Sequence, residues 1–145
     1  MIRGEYILED GEVVPNQFTT LGMQAVVKSA FWGENKPWWM GYCARNPGDV
    51  VTMDSLLEPT IGVNGYERQL ITMDKPGWPK LGLINGETWI ETRVVNFPAT
   101  GAYDVQVNRL FLTDGDNVMS ISSALPGGLQ TISTPTLRRY RLFFR

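Results

Sequence analysis

Glycine and proline punctuate this chain throughout. Fifteen glycines and nine prolines fall among 145 residues, leaving few stretches long enough for a helix and many that suit a strand. Tyr6-Ile7-Leu8-Glu9 runs into Asp10-Gly11 and then Glu12-Val13-Val14, the pattern of a small N-terminal hairpin or ribbon. Helical spacing is convincing only between Thr20 and Trp32, where Leu21, Ala25, Val26, Ser29 and Ala30 repeat, Thr20 stands as cap, and Gly33 with Pro37 closes the segment.

Beyond that point the period is two. Pro37 to Ala44 is apolar enough for a strand covered on both faces, and Met53 to Glu58 suits one helical turn before Pro59. Strands are predicted over 66–72, 88–97, 103–113, 117–125 and 136–145. Within 103–113 the apolar parity shifts at Leu110 and Leu112, which predicts a bulge or a buried end. About six to eight strands at this spacing predict a mainly β domain: an antiparallel β-sandwich or jelly-roll-like unit over 1–145 with one short N-terminal α-helix. At 43% hydrophobic residues, a chain of this length buries roughly 68–70% of its unfolded surface and needs no disulfide or metal staple.

Composition narrows the chemistry. The chain has no histidine, which excludes Ser-His-Asp and Cys-His catalysis, His-ligated zinc and imidazole switching. The one cysteine, Cys43, lies in an apolar run with no base to activate it and reads as a small buried hydrophobe. Glu58, Glu67, Glu87 and Glu91 are available for acid–base work, but no spacing selects a pair, and Glu87 and Glu91 read as solvated strand-edge charges. Asp114-Gly115-Asp116-Asn117 opens like a calcium loop, with a weak site at Asp114 and Asp116 as one reading. Leu125 stands where the closing glutamate belongs, so a hairpin turn is the better one. Neither catalysis nor a cofactor is expected.

Charge is uneven along the chain although the total is only -2, which offers nucleic acid and anionic membranes no general attraction. Residues 1–15 set Arg3 against Glu5, Glu9, Asp10 and Glu12, while residues 136–145 carry Arg138, Arg139, Arg141 and Arg145 with no acid. The arginines read either as guards on an edge strand or as a docking element for an acidic surface, the N-terminal ribbon of the same or a neighbouring copy included. Five tryptophans are many for this length, and adjacent Trp38 and Trp39 face opposite ways on a strand. Most are expected in the core or at a subunit interface. The interface residues expected from the sequence are therefore Glu9, Asp10, Glu12, Trp38, Trp39, Arg138, Arg139, Arg141 and Arg145.

An ordered set of short motifs adds a resemblance. Asn16-Gln17-Phe18-Thr19-Thr20-Leu21-Gly22-Met23 and Trp39-Met40-Gly41-Tyr42-Cys43 come first. Leu56-Leu57-Glu58-Pro59, Asn64-Gly65-Tyr66-Glu67-Arg68-Gln69-Leu70, Phe97-Pro98-Ala99-Thr100-Gly101 and Ala124-Leu125-Pro126 follow. In that order they resemble small virion structural proteins of tailed bacteriophages. The resemblance implies a non-enzymatic β-sandwich that decorates or cements the capsid by bridging subunits of the major capsid protein, with further copies of itself as a second expected partner. A tail, collar or baseplate accessory protein is the alternative, and a carbohydrate-binding module for host attachment is a third. Residence on the capsid surface, after assembly in the bacterial host cytoplasm, follows from the first reading. The acidic start and the lack of any run near ~20 apolar residues predict neither signal peptide nor membrane span. Glu58 and Arg68 are expected to pair beneath the loop between them, and Gly22 and Gly65 to relieve backbone strain in turns.

Overall fold

The computed structural model describes residues 2–45 and 51–145. Among them one α-helix accompanies ten strands: β1 (Ile2–Ile7), β2 (Val13–Phe18), α1 (Thr20–Trp32), β3 (Trp38–Cys43), β4 (Gln69–Ile71), β5 (Lys80–Ile84), β6 (Glu87–Glu91), β7 (Val95–Phe97), β8 (Arg109–Thr113), β9 (Val118–Ser122) and β10 (Thr136–Phe144). Their antiparallel pairings link into one path, β4-β3-β8-β9-β2-β1-β10-β6-β5, with β7 joined to the first residues of β10. The mainly β, antiparallel class with a single short helix is thus as predicted, with more strands than expected.

The path curls until its two halves face each other, as the layers of a sandwich do. Tyr42 of β3 meets Phe97 of β7 at 4.7 Å between ring centroids, and Trp78 stands edge-on to both Trp38 and Tyr140 at 6.3 Å. Aromatic rings supply much of the core, and their hydroxyls find partners there. Tyr6 bonds Ser120 Oγ (2.8 Å), Asn16 Nδ2 donates to Tyr140 (2.7 Å), and Tyr42 bonds Thr136 Oγ1 (2.8 Å). A smaller cluster of Cys43, Leu56, Phe111, Val118 and Ile121 covers the other face of β3, β8 and β9. β3 is accordingly buried on both sides, as its apolar run implied.

Helix α1 has the predicted bounds, but its cap is Thr19 rather than Thr20: Thr19 Oγ1 accepts from the Gly22 amide at 3.0 Å. Gly33 terminates the helix in the left-handed region, at φ 69°. Gly22 sits in no turn. It is the helix's one buried residue and lies against the β9 backbone, where a Cβ would overlap the Met119 carbonyl oxygen. Gly65, by contrast, does occupy a left-handed turn, at φ 84°.

Other expectations need correction. The predicted strand over 66–72 shrinks to β4, since Tyr66 follows a 3-10 turn and turns inward to bond Glu58. The predicted strand over 88–97 breaks at 92–94 into β6 and β7, yet both halves hold β10, and Thr92 bonds Tyr140 between them through N–H and Oγ1. Residues 103–108 alternate without forming a strand. Tyr103 and Val107 are buried while their amides reach the Ile132 and Gln130 carbonyls of an irregular segment. The predicted bulge does occur, as a register shift at Leu112/Thr113. β5 was not anticipated. Finally, β10 is central, flanked by β1 on one side and by β6 and β7 on the other, so its arginines guard no edge.

Candidate interaction surface

The register across β1, β10, β6 and β5 aligns Glu5, Arg141, Glu91 and Lys80 in one row on the outer face. Charge alternates along it. Glu91 is the hub: its Oε1 accepts from Arg141 Nη2 at 2.6 Å and Nε at 3.0 Å, its Oε2 from Arg139 Nη1 at 2.9 Å, with Lys80 Nζ 3.8 Å away. Arg141 also lies 3.5 Å from Glu5. Glu91 is 1% exposed. Burial alone would push its carboxyl up, but the hydrogen bond from Arg141 and the charges of Arg139 and Arg141 prevail and hold it below the usual range. The next row sets Arg3 over the Phe143 ring at 3.8 Å, and Arg141 lies 4.8 Å from the Trp89 ring. Arg3 additionally pairs with Glu87 at 2.9 Å. Glu87 and Glu91 are therefore not solvated strand-edge charges. β1 and β6, which flank the second half of arginine-rich β10, bring the carboxylates of Glu5 and Glu91 to it.

This placement redistributes the residues expected at an interface. Arg139 and Arg141 are committed to Glu91 inside the molecule, and the ribbon that meets β10 belongs to the same chain. Glu9 accepts from the Leu137 amide at 2.7 Å, and Asp10 accepts from the Glu12 amide across the hairpin turn. Glu9, Asp10 and Glu12 remain exposed and share with Arg138 a shallow cleft of about 390 Å³. Arg145 is exposed. Trp38 is 1% exposed and packs in the core beside Trp78, so it offers no contact, whereas Trp39 on the opposite face is half-buried.

Most of the exposed apolar surface lies elsewhere. Between α1 and the β10-β6-β5 end of the sheet runs a groove of about 450 Å³, walled by Val26 and Ala30 on one side and Leu81, Ile90 and Phe144 on the other. One cross-strand row shows how it arises. Leu142, Ile90 and Leu81 are neighbours in register, and burial falls from core to edge until Leu81 is 72% exposed. Leu83 is 70% exposed, and Phe31 and Trp32 project from the end of α1 at 82% and 70%. Sequence reasoning missed β5, although Asn85-Gly86 signalled its hairpin: both residues take positive φ, 49° and 77°.

Three further expectations bear on chemistry. Glu58 and Arg68 do pair, through two hydrogen bonds of 2.9 and 2.7 Å, while Tyr66 donates to the same carboxylate at 2.6 Å. Asp114 caps its own turn, accepting from the Asp116 and Asn117 amides, and Lys36 lies 3.4 Å from Asp114 and 3.7 Å from Asp116. Burial pushes the Cys43 thiol up to about 12, as its structural reading implied. Among the described residues, no helix is long and apolar enough to cross a membrane. No family model matches the chain, and neither a curated protein nor a solved structure is similar to it.

Proposed function

We propose that this chain is a virion structural protein of a tailed bacteriophage, a capsid decoration protein that works by docking on the major capsid protein and not by catalysis. The observation that carries the reading is the uncovered apolar groove beside α1, with Phe31 and Trp32 exposed at the end of the same helix. Monomeric soluble proteins seldom leave apolar surface of this kind open without a partner for it. The ordered motifs support the same reading, since one of them positions a wall of this groove: Thr19 caps α1 and Gly22 seats it on β9. Docking across joints between capsid subunits would stabilise the shell by mass action, and repetition over the lattice would multiply a modest contact.

The test is to mix the protein with capsids that lack it and to measure co-sedimentation and capsid melting. Saturable binding that raises the capsid melting temperature, with weaker binding by a Phe31→Ser/Trp32→Ser variant, is the expected result. Absence of binding at about 10 μM protein, a concentration that would register a Kd in the micromolar range, overturns the capsid assignment. Binding to purified tails instead would place the protein in the tail, collar or baseplate.

A further inference from the structure

β5 ends the sheet, and β6 is its one strand neighbour among the described residues. An edge strand offers unpaired backbone donors and acceptors, which proteins usually protect with lysine or another charge, proline, a bulge or a covering loop, and β5 carries one such guard, Lys80 at its first residue. Here the pairing with β6 is regular over all five residues, and four of the five are exposed. The sequence Lys80-Leu81-Gly82-Leu83-Ile84 is also nearly symmetric about Gly82. An antiparallel partner with the same sequence would match it residue for residue.

We propose that β5 pairs with β5 of a second copy, antiparallel about a two-fold axis at Gly82, to form a dimer with one continuous sheet. On the inner face Leu81 then meets Leu83 of the partner subunit, and Leu83 meets Leu81 of the partner subunit. Four largely exposed leucines become one cluster that extends the Leu81 wall of the groove. On the outer face the two glycines meet. Gly82 carries no side chain where the Trp89 indole lies across it, within 2.5 Å of a would-be Cβ. Lys80 faces Ile84 of the partner subunit, whose β6 neighbour is Glu87, so opposite charges lie near each end of the contact. Leu81, Leu83 and Ile84 together present on the order of 350 Å² per copy. With the strand backbones, the contact approaches the ~1,000 Å² of a weak specific interface. A contact of that size belongs to weak association, so the test spans concentrations around the micromolar range. The inference goes beyond the capsid reading and does not depend on it.

Sedimentation velocity of the full chain from about 1 to 500 μM, a range that brackets micromolar Kd values, should show the mass doubling from 16.3 kDa. Leu83→Lys, at an exposed position, should stay monomeric with an unchanged melting curve at low concentration. A register test accompanies it. Leu81→Cys and Leu83→Cys chains, mixed and oxidised, should cross-link several-fold faster than either alone, because directly opposed Cβ atoms lie about 4.5–5.5 Å apart and the like pairs about 7–8 Å. A wild-type monomer throughout, a dimer that survives Leu83→Lys, or equal cross-linking by the single variants overturns the pairing. A monomer that nevertheless saturates capsids overturns it and leaves the capsid reading standing; a dimer that ignores capsids does the reverse.

Discussion

Replacing Glu91 by glutamine keeps the size of the side chain and removes the charge that Arg139, Arg141 and Lys80 surround. The Glu91 side chain is 2% exposed, so its neutralisation leaves two guanidinium groups facing a buried neutral amide. Breaking a buried ion pair in this way costs about 3–5 kcal/mol. Water reaches the arginines, whose side chains are 27% and 22% exposed, and this favours the lower end, about 3 kcal/mol. A chain of 145 residues unfolds with an entropy near 0.3 kcal/mol/K, so the melting temperature should fall by about 10 °C. The acid limb gives a second readout. A carboxyl held below its ordinary 4.5 contributes stability that is complete above that pH and is lost as pH falls through the folded value. Glutamine does not titrate, so the gap between wild type and variant should close on acidification. Calorimetry across that pH range decides the matter. A deficit under about 2 °C at neutral pH, well short of that estimate, or a gap undiminished near pH 3, would show that Glu91 is not the hub of the outer face.

Three other outcomes are expected. Gly22→Ala should lower the melting temperature and loosen α1 from β9, at a cost of about 1–3 kcal/mol, because the new Cβ meets backbone that has little room to shift; an unchanged melting curve would refute the close approach. A double-mutant cycle on Glu58→Gln and Arg68→Met should give a coupling of about 1 kcal/mol or more for this two-pronged pair, and a value near zero would reduce it to a surface contact. Cys43 should resist a soluble thiol reagent near pH 8 in the native state and react only as fast as the chain opens, since its thiol is both buried and pushed up to about 12. Rapid labelling of the folded protein would contradict that burial.

Several local features are legible in the sequence because local residues decide them. The bounds of α1 followed from helical spacing and Gly33, and the hairpin at Asp10-Gly11 from its turn chemistry. Pairing of Glu58 with Arg68 was legible because a single loop separates them. Strand order is different, since it depends on contacts between distant residues. Nothing near Arg139 or Arg141 indicates that β6, some fifty residues earlier, delivers Glu91 between them, and so a buried carboxylate was read as a solvated one. Residues 103–108 misled for another reason. Alternating burial is what a strand needs, but a loop fastened by Tyr103 and Val107 produces it as well. β5 was missed despite a clear turn signal, because its exposed leucines lack the polar alternation of a solvated strand.

The central place of β10 has a consequence for how the chain reaches its native state. β6 and β5 join the rest of the sheet only through β10, and β1 takes it as one of its two partners. Until residues 136–144 have been synthesised, the β5–β6 hairpin has no sheet to join and Glu91 has no guanidinium to neutralise it. Four of the ten strands, β10 itself with β5, β6 and β7, must therefore wait for synthesis to pass residue 144. Pairing Ile2 with Phe144 closes nearly the whole chain into a loop, a slow step in which apolar strands stay open to one another and to other chains. At high expression the partly synthesised chain, with these strands still open, is a second species exposed to aggregation, and there a chaperone would act before the sheet can close.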